Sequence, residues 1–401
     1  TTKLFSTENP LYLGEYRHAL NNSNLILDFG YTKGYNKTSS TKIAGEKSHF
    51  FSKFTKNFIS KNNSENNLEV SLQEVSNDKY LKLYKIETNL VEYEKDILEN
   101  SLNFTHENED LFFGLNASIY ENLKENYNDK YEYILPDVVL SKNLFSSLEY
   151  GSADFQSNFK IHNYDTNKIS KFFVNDIDWK SKNLIYDSGI KSGLVAKLKN
   201  INYESNNISD FKTDPTSELF GAIGYTAELD LFKKTVNNYS HFLKPKALLR
   251  YAPGHMRKEE NGLRLNHFNV FDIDRLNTTT NFESGMSSTL GFDYKIKKLD
   301  QEFNFSGGQI INQKENKNMP STSSLDEKLS DFIGAANINY NKNLKFSYNF
   351  SLDQNYKDLN YNEIGGNLNF NPINFDFNYL QEKKHIGNQE YIKAGINLIN
   401  S

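Results

Sequence analysis

The chain has 401 residues, no cysteine and a formal net charge of −5, so it lacks the basic excess typical of nucleic-acid binding. The missing cysteine excludes a disulfide scaffold and thiolate metal sites. No apolar run is as long as the roughly 18 residues of a transmembrane-helix candidate. The mean hydropathy of −0.69 does not exclude a membrane β-barrel, because the strands of such a barrel need only every second residue to be apolar.

Apolar and polar residues alternate with a period of two along the chain, which is typical of strands with one apolar and one polar face. In the clearest run, Leu344, Phe346 and Tyr348 alternate with Lys345 and Ser347. The same pattern occurs at residues 25–32, 155–161, 228–231, 302–305 and 374–379. We place about 15 to 17 such segments, most near the roughly 9–11 residues of a tilted membrane-spanning strand rather than the roughly 5–6 of a soluble one. The pattern therefore predicts an all-β fold, an antiparallel transmembrane outer-membrane β-barrel.

The connections between these segments are predicted to come in two sizes. Short polar turns are predicted at residues 21–24, 341–343 and 371–372. Long polar connections are predicted at residues 57–67, 204–217, 252–270 and 312–331. Because outer-membrane barrels have short periplasmic turns and longer external loops, we expect the long segments to be external. Residues 80–99 lack clear alternation and are consistent with a helical turn.

The sequence carries no readable catalytic or metal-binding constellation. Its eight histidines are scattered without metal-ligand spacing, and it contains no nucleophile elbow, P-loop or dinucleotide-binding motif. Asp176 with Asp178, and Asp272 with Asp274, would each place two carboxylates on one strand face, where solvated carboxylates are more frequent than calcium or acid–base sites. We therefore predict that the chain is not an enzyme and has no cofactor and no metal site.

Several short motifs follow one another in the first half of the chain. Residues 9–17 end in Gly14, Glu15, Tyr16 and Arg17, and residues 47–51 contain a histidine followed by two phenylalanines. Residues 78–84 read Asp-Lys-Tyr-Leu-Lys-Leu-Tyr, and residues 133–136 end in Leu-Pro at Pro136.

The most diagnostic stretch lies further along. A strand with Pro245 precedes residues 271–276, which contain Asp274 and Arg275. Glu283 and Gly285 follow, and then Gly291 stands in an aromatic strand.

In this order, the motifs resemble those of the barrel domain of the LptD family of lipopolysaccharide (LPS)-assembly proteins, also called organic solvent tolerance proteins. The stretch around Arg275 resembles the family's F-x-x-[DN]-R, and Glu283 with Gly285 resembles the end of its D-R-x-E-x-G. The chain departs from this pattern at Thr280 and Asn281, which stand where Asp-Arg is usual. The resemblance extends over about residues 9–340.

The resemblance implies LPS transport and assembly at the outer leaflet of the outer membrane of a Gram-negative bacterium. It implies LPS as the cargo, a periplasmic LPS-transport bridge that delivers it through a jelly-roll domain, an LptE-like lipoprotein that plugs the lumen, and surrounding outer-membrane lipid. We expect residues 1–401 to be an internal portion of the barrel domain, without the jelly-roll and the terminal strands, because residues 395–401 lack the usual terminal aromatic.

Other functions stay open at this point. The alternation suits another large outer-membrane barrel, such as a porin or a gated receptor. A secreted β-rich protein that binds glycans or surfaces would show the same composition. A barrel enzyme such as an outer-membrane lipase would need a Ser–His pair, which sequence spacing neither shows nor excludes.

Overall fold

The computed structural model describes residues 1–6, 8–34, 45–60, 63–124, 129–165, 167–260, 264–341, 343–370, 372–385 and 387–398. Within these residues the chain is all-β, and its strands belong to one large antiparallel sheet of 22 strands, as the alternation predicted. Residues 342 and 371 in the predicted turns, residues 61–62 in the predicted 57–67 connection, and the terminal residues 399–401 lie outside the described part. No helix in the described part is long and apolar enough to cross a membrane.

The strands are β1 (Thr2–Lys3), β2 (Leu11–Leu20), β3 (Ser23–Thr32), β4 (Lys47–Ile59), β5 (Glu65–Val75), β6 (Ile97–Glu107), β7 (Leu111–Asn122), β8 (Tyr131–Ser147), β9 (Gly151–Tyr164), β10 (Lys168–Lys180), β11 (Leu184–Ile185), β12 (Ile190–Asn206), β13 (Thr216–Leu229), β14 (Leu231–Lys234), β15 (Ser240–Ala252), β16 (Gly285–Lys298), β17 (Gln301–Asn312), β18 (Phe332–Tyr340), β19 (Leu344–Leu352), β20 (Leu359–Phe370), β21 (Ile373–Glu382) and β22 (Gln389–Leu398). One α-helix, α1 (Tyr80–Tyr84), and a 3₁₀ turn (Ser321–Ser323) complete the described elements.

The strand count is higher than the 15 to 17 expected from the sequence. Among the described residues, β1, β11 and β14 have two to four residues, and the other strands have 9 to 17, so each of these is at least as long as the roughly 9–11 residues that a tilted membrane strand needs. Strands are missed in a count from alternation where glycine and asparagine interrupt the apolar–polar pattern, as in β20 around Gly365 and Gly366. A count from alternation is therefore a lower bound.

Contacts divide the chain into two compact units. The first comprises Thr1–Leu144, Asp154–Asp176 and Asn200–Glu218, and the second comprises Phe145–Ala153, Ile177–Lys199 and Leu219–Ser401. In the first unit, each strand from β2 to β8 pairs with the next strand along the chain. In the second unit, the same meander runs from β15 to β22.

The first unit has a small apolar core around α1. Tyr80, Leu81 and Tyr84 of the helix are buried against Leu11 and Phe51 of the neighbouring strands. Lys85 ends the helix in the left-handed conformation, with φ 47°. Residues 80–99, which the sequence left ambiguous, thus begin with a helical turn.

Short and long connections alternate within each unit, so that in an antiparallel meander they fall at opposite ends of the strands. In the first unit the short connections are 21–22, 60–64 and 108–110, and the long ones are 33–46, 76–96 and 123–130. In the second unit the short connections are 235–239, 299–300, 341–343 and 371–372, and the longer ones are 253–284, 313–331, 353–358 and 383–388. The long connection predicted at 57–67 is wrong, because β4 and β5 extend into it, and the one predicted at 252–270 is longer than expected.

The two faces of the second unit are inverted relative to a soluble sheet. On β16, Leu290 is 52% exposed, whereas the adjacent Thr289 on the other face is 1% exposed. Ile311, Phe346 and Phe377 on neighbouring strands are also exposed apolar side chains. A contiguous exposed apolar surface of this kind marks contact with another apolar phase, which for a membrane strand is lipid.

Phe346 and Ser347 on β19 test this assignment. Phe346→Arg in the complete protein is expected to lower stability by about 2–4 kcal/mol if the residue lies near the bilayer midplane. Phe346→Ala is expected to cost well under the about 3–5 kcal/mol of a packed core, because acyl chains fill the space. Ser347→Arg is expected to be mild, since the partner residue opposite it is Gly365. The measurement is folded yield in lipid vesicles, and equal losses for Phe346→Ala and Phe346→Arg would argue for a protein core.

Candidate functional site: a loop segment packed on the polar face

Part of the connection between β15 and β16 folds back onto the polar face of the sheet. We call residues 264–284 the inward segment. Its Phe271 ring lies over a place where β16 and β17 carry Gly291 and Gly308 directly opposite each other. A Cβ at Gly291 would lie 2.9 Å from Phe271 Cζ, and a Cβ at Gly308 would lie 3.2 Å from Val270 Cγ1. The two glycines therefore form a notch that admits the segment.

A lysine and an apolar cluster hold the segment in this notch. Lys246 of β15, opposite Gly291, places its Nζ 4.7 Å from the centroid of the Phe271 ring. The apolar cluster combines the inward segment with the 313–331 connection and the ends of β17 and β18. Its buried members are Met256, Leu265, Val270, Leu276, Ile310, Met319, Leu325 and Ile333.

Behind the notch, Arg275 and Glu283 form a buried bidentate ion pair. Arg275 Nε donates to Glu283 Oε2 at 2.8 Å, and Arg275 Nη2 donates to Glu283 Oε1. The Arg275 backbone N–H donates to the same carboxylate at 3.3 Å, and Arg275 Nη2 also donates to Ser287 Oγ at 3.1 Å. This fork-to-fork geometry closes the segment into a loop whose two ends meet at the start of β16.

Arg250 connects this pair to the wall of the sheet. It projects from β15 and is buried. Its Nε donates to the Ile273 carbonyl at 2.5 Å, its Nη2 donates to the Glu283 carbonyl, and its Nη1 lies 3.6 Å from Glu283 Oε1. One strand side chain therefore binds both ends of the closed loop.

Lys199 and Asp274 add a second buried ion pair. Lys199 Nζ lies 3.5 Å from Asp274 Oδ2, and it donates to the carbonyls of Thr278 and Asn281. The Phe282 ring lies 5.9 Å from both Lys199 Nζ and the Arg250 guanidinium carbon, measured to its centroid. We call Lys199, Arg250, Asp274, Arg275 and Glu283 the charge cluster. It contains three buried cations and two buried anions, so removal of either anion would leave a larger excess of buried positive charge.

The surroundings shift the two carboxyl groups in opposite directions. Burial raises the pKa of Asp274, and the Lys199 charge offsets this only in part. Burial also acts to raise the pKa of Glu283, but the charges of Arg250 and Arg275 outweigh it and hold that pKa below its usual value. The Glu283 carboxyl group is therefore ionised at neutral pH. Among the described residues, Asp274 Oδ1 and Arg275 Nη1 are buried without a hydrogen-bond partner.

Four of the motif residues singled out in the sequence meet here. Asp274, Arg275 and Glu283 belong to the charge cluster, and Gly291 forms the notch. Gly285, with φ 114°, starts β16 directly after Glu283, a conformation that favours glycine. The sequence had suggested that Asp272 and Asp274 share a strand face. Both instead lie in the loop between β15 and β16.

The remaining motif residues lie elsewhere. Pro245 is in β15, opposite Phe292. Gly14, Glu15, Tyr16 and Arg17 are in β2, where Arg17 Nε donates to Glu15 Oε1 at 2.5 Å in an exposed pair. Pro136 is in β8 at a register shift against β7, where a residue without an N–H removes no ladder bond. The roles of these positions stay predictions.

Sequence reasoning missed Lys199, Arg250 and Phe282. For arginine a signal existed, because four of the five arginines lie within residues 250–275 of a chain whose other cations are lysines. Planar, always-charged arginine is suited to buried ion pairs. For Lys199 no local signal exists, since its partner is 75 residues away. Among the described residues no group of three or more histidine or acidic side chains is arranged to hold a metal ion.

Removing one partner of the buried Arg275–Glu283 pair should unfold the inward segment. Arg275→Met leaves Glu283 buried with a weakened counter-charge, and we expect a loss of about 3–5 kcal/mol. The measurement is the urea midpoint of the full-length protein in lipid vesicles. The matched control is Arg17→Met, which breaks the exposed pair with Glu15 and should leave the midpoint unchanged. Equal effects of both variants would contradict the role of burial.

The charge cluster should also make the segment sensitive to acid. Because the folded-state pKa of Glu283 is depressed, its contribution is fully present above about pH 4.3, the usual glutamate pKa, and is lost as pH falls through the folded value. Asp274 acts oppositely, since its raised pKa means that its protonation at mildly acidic pH relieves a cost. Hydrogen-exchange protection of residues 264–284 should therefore persist from neutral pH to about 4.3 and fall below it. Glu283→Gln should lower the protection at neutral pH and remove the loss below about pH 4.3, and a wild-type loss above pH 5 would contradict the assignment to Glu283.

One comparison with known proteins identifies the family. The model of a protein family described as LptD, LPS transport system D, matches residues 47–401, which include the whole inward segment and charge cluster. A search of curated proteins finds no match to the chain. The family consists of outer-membrane proteins of Gram-negative bacteria that act in LPS transport and assembly. The match spans far more than half of the chain, and the chain therefore belongs to the LptD family.

Proposed function

We propose that this chain transports LPS to the outer leaflet of the outer membrane as the wall of a barrel translocon. The inverted faces carry the proposal. An amphiphile with a large saccharide headgroup needs a polar surface for its sugars and an apolar one for its acyl chains, and the second unit offers both on opposite sides of the same strands. On β16, Leu290 belongs to the apolar surface and the adjacent Thr289 belongs to the polar surface.

The polar face carries a set of hydrogen-bonding groups across β18–β22, near the end with the short connections. Two neighbouring rows of directly opposed residues form a surface that we call the polar floor. The first row is Asn339, Lys345, Asn367, Asp376 and Gly395, and the second is Asn337, Ser347, Gly365, Asn378 and Lys393. The floor lines a groove of about 800 Å³.

The chemistry of the polar floor fits a phosphorylated saccharide. Its asparagine amides supply donors and acceptors for sugar hydroxyls, and its glycines leave room above the sheet. Lys345 and Lys393 have no ion-pair partner among the described residues. They stand three strands apart, about 14 Å at the usual strand spacing, and so offer two cationic points for anionic groups.

Family membership supports the partners and the location that we propose. We propose that the chain lies in the outer membrane of a Gram-negative bacterium, with an LptE-like lipoprotein in its lumen and a periplasmic LPS-transport bridge as the source of its cargo. Residues 1–401 are assigned to one LptD-like barrel domain. We assign it no enzymatic activity, because moving a lipid requires no bond to be broken.

Depletion of the full-length protein in its host tests this function. We expect surface LPS, measured by labelling of intact cells, to fall strongly while uptake of small solutes is unchanged. Restoration with Lys345→Ala/Lys393→Ala should give several-fold slower delivery, whereas Lys233→Ala/Lys234→Ala, on the exposed β14, should behave as wild type. Normal surface LPS combined with lost solute uptake would favour a porin instead.

A further inference from the structure

The inward segment has a second anchor, far from the charge cluster. At its first residue, Arg264 Nη1 lies 3.1 Å from Glu382 Oε2 at the end of β21. The Arg264 guanidinium carbon lies 3.3 Å from the centroid of the Tyr361 ring on β20. Arg264 and Glu382 are 118 residues apart in sequence. The segment therefore extends from β15 and β16 across the polar face to β20 and β21.

The receiving side of this contact is held in place without Arg264. Glu382 Oε1 accepts the backbone N–H groups of Lys384 and His385 at 3.3 and 3.1 Å, which leaves Oε2 for the guanidinium. The Tyr361 hydroxyl donates to Glu363 Oε2 at 2.7 Å. Carboxylate and ring are thus set by the strands and by the β21–β22 connection.

The two anchors differ in burial. Glu382 is 2% exposed, but the Arg264 side chain is 32% exposed, so water reaches the guanidinium while it is bound. In the charge cluster both partners of the Arg275–Glu283 pair are buried. An ion pair open to water contributes little to stability, and a fully buried one is costly to break. The Arg264–Glu382 contact is therefore easier to open than the contacts of the charge cluster.

The Arg264 contact lies next to one end of the polar floor. Tyr361, Glu363, Gly365 and Asn367 follow one another on one face of β20, from the Arg264 contact to the two rows of the floor. A headgroup that moves along this face from the end with the short connections to the end with the long ones meets Arg264. The contact therefore lies across the polar face of β20 where it leads away from the floor.

We propose that Arg264, Tyr361 and Glu382 form a latch that holds the Arg264 end of the inward segment across the polar face, and that the latch opens each time an LPS headgroup passes. This regulation rests on the proposed function. The closed latch limits passage of large polar solutes, and the charge cluster keeps the segment attached while the latch is open. Arg264 is a positioning residue, since it acts through the segment that it holds.

A reversible lock tests the latch, and residues 1–401 contain no native cysteine that would react with the linker. Arg264→Cys/Glu382→Cys in the full-length protein is linked in the outer membrane with a cysteine-reactive bis-maleimide that contains a reducible disulfide. We expect the linked protein to deliver LPS at least tenfold more slowly, and reduction of the linker to restore delivery. The matched control is Lys258→Cys/Glu260→Cys, an exposed pair in the same connection that does not cross the polar face. Its linkage should have no effect.

A second readout separates a latch from a structural staple. Unlinked Arg264→Cys/Glu382→Cys and Arg264→Met should admit large antibiotics several-fold faster while LPS delivery and folded yield stay normal. Arg264→Lys keeps the charge but loses the planar stack on Tyr361, and it should admit them at an intermediate rate. Loss of folded yield in Arg264→Met would overturn the latch in favour of a staple, and so would full LPS delivery by the linked protein. Failure of the wild type to deliver LPS in the same assay would overturn the proposed function itself.

Discussion

A strand that crosses hydrocarbon has no water to pair with its backbone N–H and C=O groups, so each strand must pair with a neighbour on both edges. β16 shows the result, since it pairs with β15 along its whole length and with β17 along most of it. The pairing fixes which side chains share a face, because successive residues point in opposite directions. Apolar side chains such as Leu290 then face outward, and polar ones such as Thr289 face inward, so the usual relation between burial and polarity is reversed.

This reversal explains why a set of charges is found in the interior of the second unit. An interior lined by polar strand faces accepts a polar segment more readily than an apolar core does, provided that each buried charge meets its partner. The inward segment satisfies this condition through the bidentate Arg275–Glu283 pair and through Arg250, which binds the carbonyls of Ile273 and Glu283 on either side of the loop that this pair closes. The notch at Gly291 and Gly308 is the steric counterpart, because any side chain there would exclude Phe271.

The first unit uses similar means on a smaller scale. His49 of β4 forms a hydrogen bond through each ring nitrogen. Its Nε2 lies 2.7 Å from Asp28 Oδ1, and its Nδ1 lies 3.1 Å from the Tyr80 hydroxyl. His49 thus connects α1 to the polar faces of β3 and β4. Gly30 makes room for this contact, since a Cβ there would lie 2.5 Å from His49 Cε1. In both units a glycine and a buried polar contact hold a chain segment on the polar face. In the second unit that segment is also held at a partly exposed contact, where Arg264 meets Glu382.

The sequence by itself determined the architecture, because alternation is local: residues 344–352 need only their own order to display two faces, and their length matches a tilted membrane strand. It also indicated Asp274, Arg275, Glu283 and Gly291, since these lie within 18 residues of one another and resemble a family motif. Only the tertiary structure decided what they contact. Lys199, Arg250 and Glu382 contact the inward segment from other strands. These ion pairs are strong because water is excluded from them, and water is excluded only after the sheet has formed. No local sequence pattern can therefore predict them.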